Sequence, residues 1–321
     1  MEMEPDTALR HDHEVTMMRG RRDFFRALGL ATALGGGLTL VGGGQSAHAQ
    51  AAAPTDADVL NFALNLEYLE ANFYSIAVLG ETLPANLQTG TGTPGAVTGG
   101  RQVTFSDSVV ARLAREITLN ERTHVAFIRG QLGSAAIAQP AIDLSVSPTS
   151  AFSVAARSAG LIGAGQSFDP YASEENFLLS AYLLEDVGVT AYKGAAPLLT
   201  NKTFIDASAG ILAVEAYHSA MLRTSIHMKG MATPAVFDQS EAISNARDAL
   251  DGPADLDQGV RPTGSGDTLT SNIVPTDANG ITFSRTTGQV LNIAYLSRTS
   301  TDRGGFFPNG VNGNIRLSAA N

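Results

Sequence analysis

Six side chains of this sequence combine residue types and spacings that can hold divalent metal ions. Two Glu-x-x-His motifs and two further glutamates occur in the order Glu, Glu-x-x-His, Glu, Glu-x-x-His. The candidate ligands are Glu67, Glu121, His124, Glu185, Glu215 and His218. Residues three apart lie on one helix face about one turn apart, so each motif can present a carboxylate and an imidazole to the same centre. This donor set suits iron or manganese, and zinc also accepts it.

Charge explains why these residues predict two bound metal ions. An ionised carboxylate on a buried helix face costs several kcal/mol unless it is paired or bound to a metal. Four converging carboxylates would repel one another and could not all stay ionised. Two divalent cations, iron or manganese, would offset their charge. The alternative is a polar core without metal, in which the acids are protonated or hydrogen-bonded.

Other residues near the candidate ligands leave alternatives open. His227 is one of three histidines after residue 49, but its position near a helix end favours a surface or capping role. Glu70 follows Glu67 by three residues, so it is an extra ligand, a partner of the ligands or a solvated neighbour. Glu116 falls outside the apolar stripe of its helix. Tyrosines near the ligands could bond to them or carry an electron, although such positions usually serve core packing. The tyrosines concerned are Tyr74, Tyr182, Tyr192 and Tyr217.

Four long helices with apolar residues at helical spacing are predicted to position the ligands. In the second of them, Glu121 lies in one stripe with Ile117 and Ile128. Each candidate ligand lies within such a stripe, facing the expected core. The predicted helices cover residues 55–80, 106–133, 173–197 and 203–229. The sequence therefore predicts an all-α fold built on a four-helix bundle.

The connections between these helices differ in length and composition. Residues 134–172 can form a crossover that lets the third helix run parallel to the second. The loop 81–105 is rich in Gly and Thr and is expected to be exposed. From residue 232 the chain is rich in Gly and Asn, and Phe306 and Phe307 predict that this extension docks on the bundle or on a neighbour. Shorter helices are predicted at 150–159, 240–250 and 289–296.

The first 49 residues have the pattern of an export signal. Arg21 and Arg22 precede an apolar, Gly-rich run, which a small-residue site at Ala47-His48-Ala49 follows. This pattern is typical of a twin-arginine signal, so we expect cleavage before Gln50 and a periplasmic or secreted mature protein. An uncleaved anchor is the alternative, but the glycines weaken it as a span. The predicted organisation is a signal peptide (1–49), a bundle (50–231) and an extension (232–321).

Composition limits the classes of partner and the sources of stability. The chain has 321 residues, of which 44% are hydrophobic, and a net charge of −10. An acidic chain with scattered Lys and Arg argues against nucleic acid as a partner. Cysteine is absent, so an exported form must be stabilised by its core, its metal or assembly, including a homo-oligomer. No stable membrane span is expected after cleavage.

The residues around the motifs resemble one known family. The segment Leu60–Tyr74 resembles the first helix of the ferritin-like domain of desiccation-related proteins of plants and bacteria. Asn120–Val125 and Val214–His218 are similar to its two ligand motifs, and segments 289–295 and 304–308 are similar to the tail of bacterial members. The resemblance implies a ferritin-like four-helix bundle with one long crossover.

The family also implies how the ligands divide between two metal ions. Each ion would take one histidine, with Glu121 and Glu215 as bridging carboxylates and Glu67 and Glu185 as terminal ligands. No catalytic residue apart from these ligands is predicted.

Three functional hypotheses follow. The first is an exported dinuclear iron or manganese protein that reacts with dioxygen or peroxide, in a ferroxidase-like or peroxide-consuming role during desiccation or oxidative stress. The second is a metal-binding or structural envelope protein without turnover. The third is a metal-free bundle whose tail mediates assembly. The long Gly/Asn-rich tail argues against iron storage in a hollow shell.

Overall fold

Four long helices form the framework of the structure, a computed structural model that describes residues 53–321. The predicted signal peptide lies outside the described residues. The helices are α1 (Asp56–Tyr74), α2 (Ala85–Gln88), α3 (Ser108–Leu132), α4 (Ala151–Ser158), α5 (Glu174–Ala195), α6 (Lys202–Ala232), α7 (Ala235–Asp251) and α8 (Thr287–Tyr295). Two short strands, β1 (Val97–Thr98) and β2 (Ile142–Asp143), pair in parallel. The all-α prediction is confirmed, and α1, α3, α5 and α6 are the four bundle helices.

Side chains at the N-termini explain where these helices begin. Thr55 accepts a hydrogen bond from the Asp58 amide in a reciprocal capping box. Asp107, Ser173 and Asn201 accept amide hydrogen bonds in the first turns of α3, α5 and α6. Each cap satisfies an amide that would otherwise lack a partner. The predicted starts therefore agree with the structure to within two residues.

The first helix stops at Gly80 as predicted, but its last turn is not α-helical. The α-helix ends at Tyr74 and continues as one π-helical turn, Ser75–Leu79. Gly80 then stops it with a φ of 77°, a left-handed conformation that glycine adopts without steric cost. Such π turns are rare and often lie near functional sites.

The crossover returns the chain so that α3 and α5 begin side by side and run in the same direction. The side chain of Glu174, in the first turn of α5, accepts hydrogen bonds from the amides of Ser106 and Asp107 at 3.0 and 2.8 Å. Lys229, near the end of α6, lies 2.6 Å from the other oxygen of Glu174. One buried carboxylate therefore joins three of the four bundle helices.

The C-terminal extension packs into the same core as the bundle. Phe306 and Phe307 are both buried, and the Phe306 ring meets that of Phe152 edge-on at 4.9 Å between centroids. Asn312 exchanges two hydrogen bonds with Asn65 of α1, at 2.9 and 3.0 Å. The Asn312 amide also donates to backbone oxygens of both long connections. The extension thus holds α1 and the two long connections together.

A buried network of three arginines and three aspartates holds the extension to α5 and α6. Arg223 and Arg247 lie 2.8 and 3.1 Å from Asp186 of α5, and Arg247 lies 2.5 Å from Asp257. Arg285 pairs with Asp251 and Asp257. All six side chains are buried, so each charge depends on its partners. Within residues 53–321, no helix is both long and apolar enough to cross a membrane.

Replacing Arg247 should destabilise the protein strongly. Arg247→Met leaves Asp186 and Asp257 with one cation fewer, and breaking a buried ion pair costs about 3–5 kcal/mol. Urea unfolding followed by far-UV circular dichroism measures the loss. Arg303→Met is the control, because that side chain is 64% exposed and exposed pairs contribute about 0–1 kcal/mol. Equal stability of the two variants would contradict the stabilising role of the network.

Candidate metal centre

The six predicted ligands converge in the middle of the bundle, although they come from four helices. Glu67 lies on α1, Glu121 and His124 on α3, Glu185 on α5, and Glu215 and His218 on α6. His124 is 8% exposed and the other five are fully buried. The structure therefore brings every sequence-predicted ligand into one cluster.

Their donor atoms divide into two groups, each compact enough for one metal ion. Within each group, one donor atom from every residue lies within 4.8 Å of the others. The first group is Glu67, Glu121, His124 and Glu215, and the second is Glu121, Glu185, Glu215 and His218. Both contain Glu121 and Glu215, the pair that the family resemblance assigns to bridging.

The two groups are related by an approximate two-fold symmetry. His124 Nδ1 lies 3.3 Å from Glu67 and 3.4 Å from Glu215. His218 Nδ1 lies 3.5 Å from Glu185 and 3.0 Å from Glu121. His124 on α3 therefore faces Glu67 of α1 and Glu215 of α6. In the same way, His218 on α6 faces Glu185 of α5 and Glu121 of α3. The centroids of the two imidazole rings are 6.0 Å apart.

The donor atoms fit a metal because the protein does not satisfy them otherwise. Among the described residues, nine donor atoms of the cluster are buried without a hydrogen-bond partner, including both oxygens of Glu121, Glu185 and Glu215 and Nδ1 of both histidines. Buried polar groups normally have partners. Carboxylate and imidazole donors suit iron, manganese or zinc. A cation in each group would satisfy the unpaired atoms.

Protons supply the positive charge in the metal-free cluster. Burial, and then the charge of Glu185, raises the pKa of Glu215 to about 8. Burial, the largest single effect, opposes protonation of His124, but the carboxylates of Glu67, Glu215 and Glu121 together outweigh it and raise the pKa of His124 to about 11. Burial is also the largest effect on His218, but the carboxylates of Glu185, Glu215 and Glu67 together raise its pKa to about 9. Metal binding must displace such protons.

Side chains that surround the cluster orient two of the candidate ligands. The Tyr192 hydroxyl donates a hydrogen bond to Glu67 Oε1. The Asn120 amide contacts His218 Nε2 at 3.1 Å, which leaves Nδ1 facing the carboxylates. Hydrogen bonds of this kind fix the orientation of a metal ligand. Tyr74 is buried near Glu185 and its hydroxyl has no hydrogen-bond partner.

Other candidates from the sequence have structural roles or lie at the surface. Tyr182 is buried and donates to the backbone oxygen of Gln258, so it packs the extension. His227 also binds the extension, through Nδ1 and the Val260 oxygen at 3.0 Å. Tyr217 is 67% exposed. Glu116 is exposed as well.

Two further residues lie next to the ligands, Glu70 and Gly188. The sequence left the role of Glu70 open and did not suggest a role for Gly188. Glu70 is 4% exposed, which rules out the solvated-neighbour interpretation. Burial, and then the charge of Glu215, raises the pKa of Glu70 well above its usual range. Gly188 matters through its missing side chain, because a Cβ there would lie 2.5 Å from Glu215 Oε2 and 3.3 Å from Glu70 Oε1. Only the position of Gly188, one turn after Glu185, could have signalled this.

Comparison with known families agrees with this geometry. A family model described as "Ferritin-like domain" matches residues 55–228. The chain belongs to this family. The matched span begins at the cap of α1, ends near the end of α6 and includes all six predicted ligands.

Two relatives of the ferritin-like chain extend over most of its length. It is 28% identical over 269 residues to "Ferritin-like catalase Nec2" of Nesocodon mauritianus, covering 81% of this chain and 84% of that protein. It is 30% identical over 270 residues to "Desiccation-related protein PCC13-62" of Craterostigma plantagineum, covering 81% of this chain and 83% of that protein. The second name agrees with the family resemblance found in the sequence.

Gly188→Ala should weaken metal binding by the cluster. The added methyl group would enter the space of the Glu215 carboxylate and displace it, so the purified variant should retain less metal than wild type by elemental analysis. Gly210→Ala on α6 is the matched control, because a Cβ there meets nothing within 4 Å. That control should keep its metal and gain about 0.5–1 kcal/mol of stability. Wild-type metal content in Gly188→Ala would contradict the tight fit.

Proposed function

We propose that this ferritin-like protein is a catalase-like oxidoreductase that consumes peroxide at a dinuclear iron or manganese centre, and that it protects against oxidative or desiccation stress. The observation that carries the proposal is the pair of ligand groups sharing Glu121 and Glu215. Two cations held by groups that share two carboxylates would lie next to each other. One relative is named a ferritin-like catalase, which supports the same activity.

The electron balance of peroxide disproportionation suits a centre with two metal ions. One peroxide loses two electrons and two protons to become dioxygen, and a second gains them to become two waters, so no outside reductant is needed. Two adjacent redox-active ions, when bound, would supply the two-electron exchange and bind both peroxide oxygens. The protein must then hold the ligands still and keep other reactants away.

The surrounding residues meet both requirements. Tyr192 and Asn120 hold Glu67 and His218 in place through the contacts described above. All six ligands are nearly or fully buried, and a water-excluding site suppresses side reactions. A small uncharged substrate such as peroxide can also enter a buried site without the cost of desolvating a charge. The name of one relative, a ferritin-like catalase, favours peroxide consumption over ferroxidase activity.

The alternative is a metal-binding structural protein without turnover. The unpaired donor atoms of the cluster support metal binding but do not require a reaction. In this case metal would stabilise the folded state by mass action alone. A metal-loaded protein with a raised melting temperature and no reaction with peroxide or Fe²⁺ would favour this alternative.

Oxygen release tests the proposed activity directly. Metal-loaded wild type should release dioxygen from hydrogen peroxide in an oxygen-electrode assay, and Glu121→Gln should lose activity by about 100-fold or more, since loss of an outer-shell partner alone costs about 10–100-fold. Glu116→Gln, an exposed change on the same helix, should keep wild-type activity. Undiminished dioxygen release by Glu121→Gln would refute the assignment of the centre.

We also propose that the protein is exported by the twin-arginine pathway, on the evidence of the N-terminal sequence. Arg21→Lys with Arg22→Lys should keep the full-length chain in the cytoplasm, as judged by cell fractionation and immunoblotting. The change preserves charge and leaves the apolar run intact, so a general defect of the signal is avoided. Unchanged export of this double variant would argue for another route.

A further inference from the structure

Two small cavities follow one another along one face of α5. The outer cavity is lined by Leu179 and Leu183, and the inner cavity by Leu183, Val187 and Gly188. Leu179, Leu183 and Val187 are four residues apart, so they lie on the same helix face. At about 1.5 Å per residue, the stretch from Leu179 to Gly188 spans about 14 Å. The two cavities therefore lie in series and share the side chain of Leu183 as a wall.

The inner cavity reaches the edge of the metal cluster. Its volume is about 30 Å³, and its lining consists of Glu70, Gly188 and apolar side chains, among them that of Phe306. A Cβ on Gly188 would lie 3.3 Å from Glu70 Oε1 and 2.5 Å from Glu215 Oε2. The part of the wall that Glu70 and Gly188 form thus lies against a predicted metal ligand. The inner cavity therefore ends next to the proposed metal centre.

The outer cavity leads from there towards the surface. Its volume is also about 30 Å³, and its lining includes Phe152, the half-buried Leu250 and the exposed Ser158. The ring of Phe152 meets that of Phe306, which lines the inner cavity, edge-on. This aromatic pair and Leu183 belong to the partition between the two cavities. The outer end therefore lies next to solvent, while the inner end lies next to the cluster.

The C-terminal extension forms one side of both cavities. Ile243 and Ala246 of α7 line the outer cavity, and Val290 and Ala294 of α8 line the inner one. The opposite walls come from α5 and the other bundle elements. The extension thus encloses a stretch of apolar space that runs along the bundle.

The lining of the inner cavity suits a small apolar molecule. A volume of about 30 Å³ exceeds the roughly 10–15 Å³ that one water molecule needs, so a diatomic molecule fits. A buried water, however, needs roughly two to four polar partners, and Glu70 is the single residue with a polar side chain in this lining. Among the molecules of the proposed reaction, peroxide and water are polar, whereas dioxygen is apolar. The cavity therefore suits dioxygen.

We propose that the two cavities form a binding site and an exit route for dioxygen, from the metal centre along α5 to the surface. The exit role rests on the proposed peroxide-consuming activity, which supplies the gas, whereas binding rests on the cavities alone. Dioxygen released beside Gly188 enters the inner cavity, and a rotamer change of Leu183 admits it to the outer one. Such a route removes the product without opening the cluster to water.

Xenon binding in crystals of the purified protein tests the cavities. Xenon is an apolar gas that enters dry cavities, and its anomalous scattering marks its position. Wild type should show xenon in both cavities. Ala294→Leu should remove the inner xenon and Ala246→Leu the outer one, because each added side chain fills one cavity. Ala249→Leu, an exposed change on α7, is the control and should keep both.

The wild-type crystals alone can overturn the proposal, even where a filling variant fails to fold. Absence of xenon from both cavities would contradict a gas-binding site. Ordered water in place of xenon in the inner cavity would contradict its apolar character.

Steady-state kinetics test the exit of dioxygen. In metal-loaded protein, Ala294→Leu and Ala246→Leu should lower kcat severalfold and leave kcat/KM for hydrogen peroxide unchanged, because product release follows the chemical steps. Damage to the cluster would instead lower kcat and kcat/KM together, and elemental analysis should show wild-type metal content in both variants. A wild-type kcat in both variants would overturn the exit route.

The two experiments separate this proposal from the proposed activity. A wild type that binds xenon in both cavities but releases no dioxygen from peroxide would refute the catalase-like activity and leave the gas-binding site standing. A wild type that releases dioxygen but binds no xenon would refute the site and leave the activity standing.

Discussion

The concentration of carboxylates in the bundle core is the constraint on which the site depends. Glu67, Glu121, Glu185 and Glu215 are fully buried, and no arginine or lysine pairs with them among the described contacts. Their repulsion must be balanced by protons on the histidines and carboxylates or by bound cations. The same repulsion that weakens the metal-free core would therefore favour a bound cation.

A second set of buried acids is neutralised by arginines of the protein itself. Asp186 is next to Glu185 in the chain, but its carboxylate pairs with Arg223 of α6 and Arg247 of the extension, which neutralise it permanently. One turn of α5 therefore has one carboxylate, Asp186, that arginines neutralise and another, Glu185, that has no arginine or lysine beside it among the described contacts. This separation keeps arginines out of the cluster, where their charge would compete with metal. The extension is thus part of the architecture that leaves the centre available.

The sequence predicted most of the candidate centre because, in a helix, the spacing between two residues determines whether their side chains lie on the same face. Glu121 and His124 had to share a face, and their place in apolar stripes predicted their burial. The function of Gly188 could not be predicted, since a missing side chain matters only relative to a carboxylate on another helix. The arginine network was also missed, because Asp257 and Arg285 belong to segments without periodicity. Docking of the tail was left open between bundle and neighbour, and Phe306 packs on the bundle.

The link between Asn65 and Asn312 joins residues 247 positions apart. The first bundle helix therefore gains these contacts only after 247 more residues have been synthesised. Until then α1 lacks its bonds to Asn312, and the ring of Phe152 lacks its contact with Phe306. A nascent chain shorter than this consequently cannot reach the native packing around its acidic core.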